Sequence, residues 1–302
     1  MKSEAKEAMF YERLEGNFVK CNLCSHRCKI ADSKRGVCAV RENRGGTLYS
    51  LVYGKVVSQA VDPIEKKPLF HFRPGTRAFS FATAGCNVEC RFCQNWSISQ
   101  RRPEQVESLD RPPDVLAAAA AASGAASIAA TYTEPVIFTE YVRDVALAAR
   151  RRGVATVVIS NGYIQEAPLK EMATELAAIK IDLKAFTEKF YREVCSGELK
   201  PVLATLQTLA RLKLWTEIVV LILPTLNDDP AEIRQMAAWV RDHMGPDVPV
   251  HFTRFHPTYK LRNLPPTPVS TLERCRNEAL AAGLRFVYLG NVPGHRGQNT
   301  YC

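Results

Sequence analysis

The chain has 302 residues, 46% of them hydrophobic and 24% charged, proportions that exclude a disordered or collagen-like chain. Lys and Arg exceed Asp and Glu by 40 to 31, but the basic residues are spread along the chain rather than massed in one tract, which argues against nucleic acid as a partner. No apolar run approaches the ~20 residues that cross a bilayer, and MKSEAKEAMF has no signal-peptide core, so a cytoplasmic protein without a membrane partner is expected.

Residues 1–74 read as a Cys-rich N-terminal module with short β-strands. Cys21, Cys24, Cys28 and Cys38 fall in its first half. The stretch TLYSLVYGKVVSQAV (47–61) predicts a short hairpin or strand pair. Residues 62–75 contain three prolines and read as a connector.

Residues 75–302 alternate strands and helices. Strands are predicted at 76–84, 126–132, 154–160, 178–183, 216–223, 248–255 and 285–290. Helices are predicted at 112–123, 135–153, 167–178, 187–195, 201–213, 229–243 and 268–282. VATVVIS, nearly all apolar, suits a parallel strand covered on both faces. Six successive βα units and a closing strand imply a parallel sheet with right-handed crossovers. Such units wind as an open barrel or as a doubly wound sheet. The reading favours an α/β fold, an open parallel (β/α)6 partial TIM barrel.

In parallel β/α folds, chemistry sits at the carboxyl ends of the strands. Here those ends carry Gly85-Cys86, Thr133-Glu134, Ser160-Asn161, Asp182 with Lys184, Asn227 to Asp229, and Arg254 with His256. Together they point to one site over the sheet. Trp96 and Tyr163 lie nearby as pocket walls or as core.

The chain has ten cysteines. Without an export signal, clustered cysteines indicate metal or redox chemistry rather than disulfides. Cys86-x3-Cys90-x2-Cys93 puts three thiolates on the loop after the first strand. They can hold three irons of a 4Fe-4S cluster and leave the fourth open to a ligand. Structural zinc wants four ligands. Phe92 would shield the cluster. Cys21-x2-Cys24-x3-Cys28-x9-Cys38 can hold a second metal, either structural zinc or an iron–sulfur cluster relaying electrons to the first. The spacing does not choose between them. Cys195 and Cys275 fall in helical patterns and read as packing residues.

The triplet, with an aromatic before its last cysteine and after the first strand of a β/α chain, resembles the radical S-adenosylmethionine (SAM) superfamily. Together with VYGKVVSQAVDPIEKKPLFHFRPG, CQNWSIS, TYTEP, IKIDLKAF and GNVPGHRGQNTYC, it resembles pyruvate formate-lyase activating enzyme. Among such enzymes the chain is most similar to the radical SAM component of the AmmeMemoRadiSam system. The resemblance implies that Cys86, Cys90 and Cys93 bind a 4Fe-4S cluster. The open iron would chelate SAM, whose reductive cleavage gives a 5′-deoxyadenosyl radical that abstracts hydrogen from a substrate.

By the same resemblance, Glu134 would accept from the ammonium group of SAM. Ser160 and Asn161 would face its ribose or carboxylate, with Ile159 where the family has Asp. Asp182 and Lys184 match an Asp-Leu-Lys motif contacting cofactor and substrate, and His256 matches a histidine near the adenosine. A reductant such as flavodoxin or ferredoxin is implied, as are the companion proteins of the AmmeMemoRadiSam system. Related chains continue past Cys302 to a further cysteine, so a truncated chain or a fragment is expected. The substrate is a small molecule or a protein residue. A glycyl-radical activase, an iron–sulfur electron carrier without SAM chemistry, and a zinc-dependent RNA-binding protein are the competing readings.

Overall fold

The computed structural model describes residues 5–301, and Cys302 lies outside the described residues. Eight strands form the main sheet: β1 (Ser58–Pro63), β2 (Arg77–Ala82), β3 (Ser127–Ala130), β4 (Ala155–Ser160), β5 (Ala178–Asp182), β6 (Trp215–Ile222), β7 (Val250–Arg254) and β8 (Val287–Gly290). β1 pairs antiparallel with β2, and every later pairing is parallel. Each strand lies beside its predecessor in sequence, and β1 does not pair with β8. A doubly wound sheet reverses strand order at a switch point. This sheet never reverses, so it winds as an open partial barrel.

The helices between strands are α1 (Pro113–Ala122), α2 (Thr139–Arg150), α3 (Glu166–Ala173), α4 (Leu199–Leu212), α5 (Pro230–Met244) and α6 (Val269–Ala281). Their starts follow local chemistry. At α5 the Asp229 carboxylate accepts from the amides of Ala231 and Glu232 at 2.9 and 3.0 Å, and Pro230 takes the first position. The helix predicted at 135–153 begins as a 3-10 turn, Pro135–Phe138, and ends at Arg150. The helix predicted at 187–195 is one α-turn running into a π-helical turn, Tyr191–Cys195.

The predicted hairpin over 47–61 does not form. Thr47–Ser50 instead pairs with Lys6–Glu7 and Arg41–Arg44 in a small antiparallel sheet, whereas residues 58–63 become β1 of the barrel. The N-terminal segment thus supplies an edge strand to the main sheet, across the boundary expected at residues 74 and 75. A second small sheet joins Tyr11–Arg13, Val19–Cys21 and Lys29–Ile30.

The connector is a stopper. Ile64 and Leu69 are buried with Ala78, Ala129, Val157 and Ala178, which point inward from β2, β3, β4 and β5. Buried Glu217, near the start of β6, accepts from the Phe70 and His71 amides, both at 2.9 Å, and from His251 at 2.8 Å. These bonds satisfy a carboxylate that burial would otherwise penalise, and they tie the stopper to the barrel floor.

Candidate active site

A cavity of about 380 Å3 opens at the carboxyl ends of the strands, within the size range of ligand sites. Cys86, Cys90, Cys93, Glu134, Asn161, Asp182 and Lys184 all line it, with Phe92 beside them.

The cysteine loop follows β2. Gly85 opens it at φ +96°, and a Cβ added there would meet Val40 Cγ1 at 2.6 Å and the Cys38 carbonyl at 3.1 Å. Only glycine fits both demands. The amides of Glu89 and Arg91 donate to the carbonyls of Cys195 and Val194, both at 2.9 Å, and fasten the loop to the π-helical turn. A Cys195 hydrogen bond acts against burial to bring the buried Cys90 thiol below its ordinary range, with Lys184 assisting. Cys195 is buried in the core on that turn, and Cys275 is buried on α6. Burial, then the neighbouring Glu134 carboxylate, pushes Cys86 well up. Cys93 Sγ lies 3.1 Å from Ser99 Oγ.

Two residues past β3, Tyr132 is held at φ +65°, a strained conformation for a residue with a large side chain. Two residues on, Glu134 caps the turn at Pro135 and is 2% exposed. Its Oε1 accepts from Val136 N at 3.0 Å and Ser160 Oγ at 2.7 Å, and its Oε2 accepts from Asn161 N at 2.8 Å. Burial raises its pKa to about 7 despite those bonds. The carboxyl group is poised between charge states in a cavity that could offer it a cation.

β4 places successive residues on opposite sides. Ile159 and Asn161 line the cavity and Ser160 does not. Ser160 supports Glu134 from beneath, so its expected contact with the ribose or carboxylate of SAM gives way to this buried bond. Asn161 Nδ2 donates to Asn87 Oδ1 at 2.8 Å and reaches Cys86 Sγ at 3.9 Å.

On β5 the same alternation turns Lys180 and Asp182 into the barrel. Asp182 pairs with Lys180 and, at 2.9 Å, with Lys184. Burial opposes its charge, but the two ammonium groups hold its pKa at about 2. Lys184 Nζ stands 5.9 Å over the Phe92 ring. Lys180 was missed in the sequence because it interrupts an apolar strand; its period-two spacing with Asp182 and Lys184 was the available signal. Lys67, 4% exposed, also lines the cavity and donates to Asp62 at 2.8 Å.

The last two predicted strand ends do not join the lining. Asn227 is spent on the turn after β6, accepting from Leu223 N at 2.7 Å and donating to the Lys184 carbonyl at 2.8 Å. His256 is exposed and stands outside the lining, because the chain turns outward after β7. Thr253 and Asn291 take its place. Tyr163 is core, packed edge-on against His26. Trp96 stacks on Tyr259 with centroids 5.3 Å apart and is also absent from the lining.

Three cysteines of one loop, facing a cavity that also holds a buried carboxyl group, sit on an open barrel whose residues 81–237 match the Radical SAM superfamily. The chain belongs to the radical SAM superfamily. It is 46% identical over 297 residues to an uncharacterized protein of Methanocaldococcus jannaschii, covering 98% of this chain and 88% of that one. It is 24% identical over 221 residues to pyruvate formate-lyase 1-activating enzyme of Escherichia coli K12, covering 67% of this chain and 88% of that one. Among solved structures, a radical SAM methyltransferase from Sphaerobacter thermophilus superposes with a TM-score of 0.57 at 15% identity, over 75% of this chain and 71% of that one. A domain of pyruvate-formate lyase-activating enzyme from Bacteroides vulgatus gives 0.50 at 14% identity, over 55% and 99%.

This radical SAM protein is accordingly an enzyme of a class that uses a 4Fe-4S cluster and SAM, and that chemistry draws electrons from a reductant. The donor set fits. Cys86, Cys90 and Cys93 offer three sulfur ligands from one loop to the same cavity, the donor type that iron–sulfur clusters take. No helix among the described residues is long and apolar enough to cross a membrane.

Proposed function

We propose that Cys86, Cys90 and Cys93 hold the 4Fe-4S cluster and that SAM lies between them and Glu134, with hydrogen abstracted from a substrate that enters above it. The observation that carries this reading is the shared cavity: three thiols on one wall and a buried, charge-poised carboxyl group on another. The cluster, when bound and reduced, supplies the electron that cleaves the cofactor to a 5′-deoxyadenosyl radical.

The protein's part is to position and to exclude. Glu134 accepts from an ammonium group, and the Ser160 hydroxyl and Asn161 amide fix its orientation. The Asn161 side chain ties the Cys86 loop to the end of β4. Asp182, held ionised by Lys180 and Lys184, presents a second fixed acceptor at the end of β5. Phe92 and the stopper keep water from the floor. Anaerobic reconstitution, reduction by dithionite and quantification of 5′-deoxyadenosine test the reading. Product should form in the wild type and disappear in Cys86→Ala, Cys90→Ala and Cys93→Ala. Undiminished product in any of these variants would sink the assignment.

A second reading, activation of a glycyl-radical enzyme, draws on the likeness to pyruvate formate-lyase 1-activating enzyme. It requires a backbone glycine of a partner protein to reach the cavity. An organic radical appearing by electron paramagnetic resonance (EPR) on a supplied glycyl-radical enzyme would support it.

A further inference from the structure

An electron bound for a cluster on the Cys86 loop has to arrive where that loop meets solvent, because transfer falls steeply with distance. The start of the loop is closed. A Cβ on Gly85 would meet Val40 and the Cys38 carbonyl, and His26 Nε2 lies 2.6 Å from the Asn87 carbonyl. Cys21, Cys24, Cys28 and Cys38 lie in the module that covers it, as free thiols around a void of about 10 Å3, room for one water. Residues 91–102 instead reach the surface.

There the loop carries a cation-rich face. Arg91, Arg101 and Arg102 are exposed, and exposed Lys260 and Arg262 join them from the turn after β7. The two segments are fastened together. The Lys260 amide donates to the Arg91 carbonyl at 3.0 Å. The rings of Trp96 and Tyr259 stack with planes 10° apart and centroids 5.3 Å apart. The Arg101 guanidinium stands 5.9 Å from the Trp96 centroid and Lys260 Nζ 5.1 Å from that of Tyr259, so that each ring of the stack also holds a cation. Tyr259 is held at φ +50° in a turn that the Leu261 amide closes on the Thr258 carbonyl at 3.0 Å. That conformation is costly for a bulky residue, and the turn that imposes it lays the ring on Trp96.

The charge of this face is uncompensated. Elsewhere on the surface Arg151 and Arg152 pair with Asp114, Arg211 with Glu166, and Arg234 with Glu278. Among the described residues, no carboxylate forms an ion pair with Arg91, Arg101, Arg102, Lys260 or Arg262. Glu89 is the single acid within residues 89–102 and 256–262. Glu104, next along the chain, is taken by Arg35 at 2.9 Å. Cations crowded on one face repel one another and attract an acidic partner over a distance. Electron-transfer encounters are small and guided by charge, and Trp, Tyr and Arg are the residue types that anchor interfaces.

We propose that these five cations, around the Trp96–Tyr259 stack, form the surface on which an acidic electron-donor protein docks to reduce the cluster. The donor is oxidised by one electron, the cluster is reduced by one, and no bond or proton changes. The proposal rests on the reading that Cys86, Cys90 and Cys93 hold that cluster, and its test separates the two.

The test uses the full chain, reconstituted anaerobically, with reduced flavodoxin as an acidic protein donor and the methyl viologen radical as a small cationic one. Stopped-flow bleaching of the cluster gives each second-order rate constant. With flavodoxin it should fall on the order of tenfold between about 50 and 300 mM salt. The variant Arg102→Glu, Arg262→Glu reverses two charges outside the stack and should lower the low-salt flavodoxin rate on the order of tenfold, without lowering the viologen rate. The variant Lys213→Glu, Arg285→Glu makes the same charge change just before β6 and β8, at the amino ends of the strands, and should keep the flavodoxin rate within about twofold. The variant Arg101→Gln, Lys260→Gln only neutralises and should lower the flavodoxin rate by less; it decides the matter if the reversed variant does not fold.

A flavodoxin rate indifferent to salt, or equal in the wild type and Arg102→Glu, Arg262→Glu, overturns the docking surface. An equal loss in Lys213→Glu, Arg285→Glu traces the effect to net charge, and an equal loss with viologen traces it to the cluster; either overturns it. An unchanged flavodoxin rate with lost binding of a single-stranded oligonucleotide assigns the face to nucleic acid instead. If Cys86→Ala, Cys90→Ala, Cys93→Ala still forms a cluster whose EPR signal SAM moves, the cysteine reading fails. Calorimetric titration of that triple variant with flavodoxin then judges the surface by itself: weaker binding on adding Arg102→Glu, Arg262→Glu sustains it, and unchanged binding overturns it.

Discussion

Ser160 Oγ donates to Glu134 Oε1 at 2.7 Å across two strand ends that are 26 residues apart in sequence. The Asn161 amide donates to the other oxygen at 2.8 Å. The end of β4 thus grips a carboxyl group that the chain delivers just past β3. The cavity-facing wall of the site depends on this grip.

Glu134→Gln keeps the shape and removes the charge. A charge-assisted hydrogen bond is worth roughly 1.5–3 kcal/mol, so SAM affinity should fall on the order of tenfold to a hundredfold. Iron content should not change. Ser160→Ala should weaken affinity by less, because the two backbone donors remain. Calorimetric titration checks both variants, and wild-type affinity in Glu134→Gln would reduce this residue to a helix cap.

The same group predicts a pH dependence. Its pKa is about 7 in the folded chain against an ordinary 4.5. Between those values the folded protein holds a proton that the unfolded chain has released. This group's contribution to the stability of the ligand-free protein therefore falls as pH rises through that window. Binding an ammonium group favours the carboxylate and releases the proton. SAM affinity should rise between pH 5.5 and 7 by up to about tenfold per pH unit, and the rise should vanish in Glu134→Gln. Titrations at several pH values decide; a flat wild-type profile would contradict the assignment.

Arg41 and Glu140 form an ion pair in which each side chain is 1% exposed. Arg41 also donates to the Met9 carbonyl at 2.9 Å, and the Met9 amide donates to Glu140 at 2.7 Å. The pair binds the N-terminal module to α2. Glu140→Gln leaves a buried cation without its counter-charge and should cost about 3–5 kcal/mol. The double variant Arg41→Met, Glu140→Leu should cost less than Glu140→Gln alone. Urea midpoints of the two variants provide the comparison.

Gly85→Ala should disturb two cysteine loops at once. The new Cβ would sit 2.6 Å from Val40 Cγ1 in a backbone conformation that alanine resists. We expect faster hydrogen exchange in residues 21–28 and 85–93, and loss of reconstituted iron. Unchanged exchange in residues 21–28 would show that the module does not depend on this contact.

The sequence made much of this architecture legible, for physical reasons. Short, nearly continuous apolar runs separated by helices that Pro or Asp opens are local signals, and they located seven parallel strands. Polar residues just past the first four strands located the cavity wall. What stayed hidden was long-range. Arg41 and Glu140 are 99 residues apart, and neither carries a local mark of its partner. The straight strand order is a choice of packing that βα alternation leaves open. β1 was read into the N-terminal module because its alternation shows that it is a strand but not which sheet it joins. Ser160 lies beside a ligand-facing position, and alternation along β4 turns its side chain away from the cavity, a direction its place in the motif does not reveal. His256 follows a strand whose side-chain direction the sequence shows, but the outward turn after it does not.

The stopper formed by Ile64 and Leu69, with Glu217 tying down the amides behind them, has a kinetic consequence. It fills the floor of the barrel beneath the cavity. Whatever binds against the wall of Cys86 and Glu134 must enter before anything that lies above it, and must leave after it. Binding should therefore be ordered, with substrate acting as a lid on the molecule beneath.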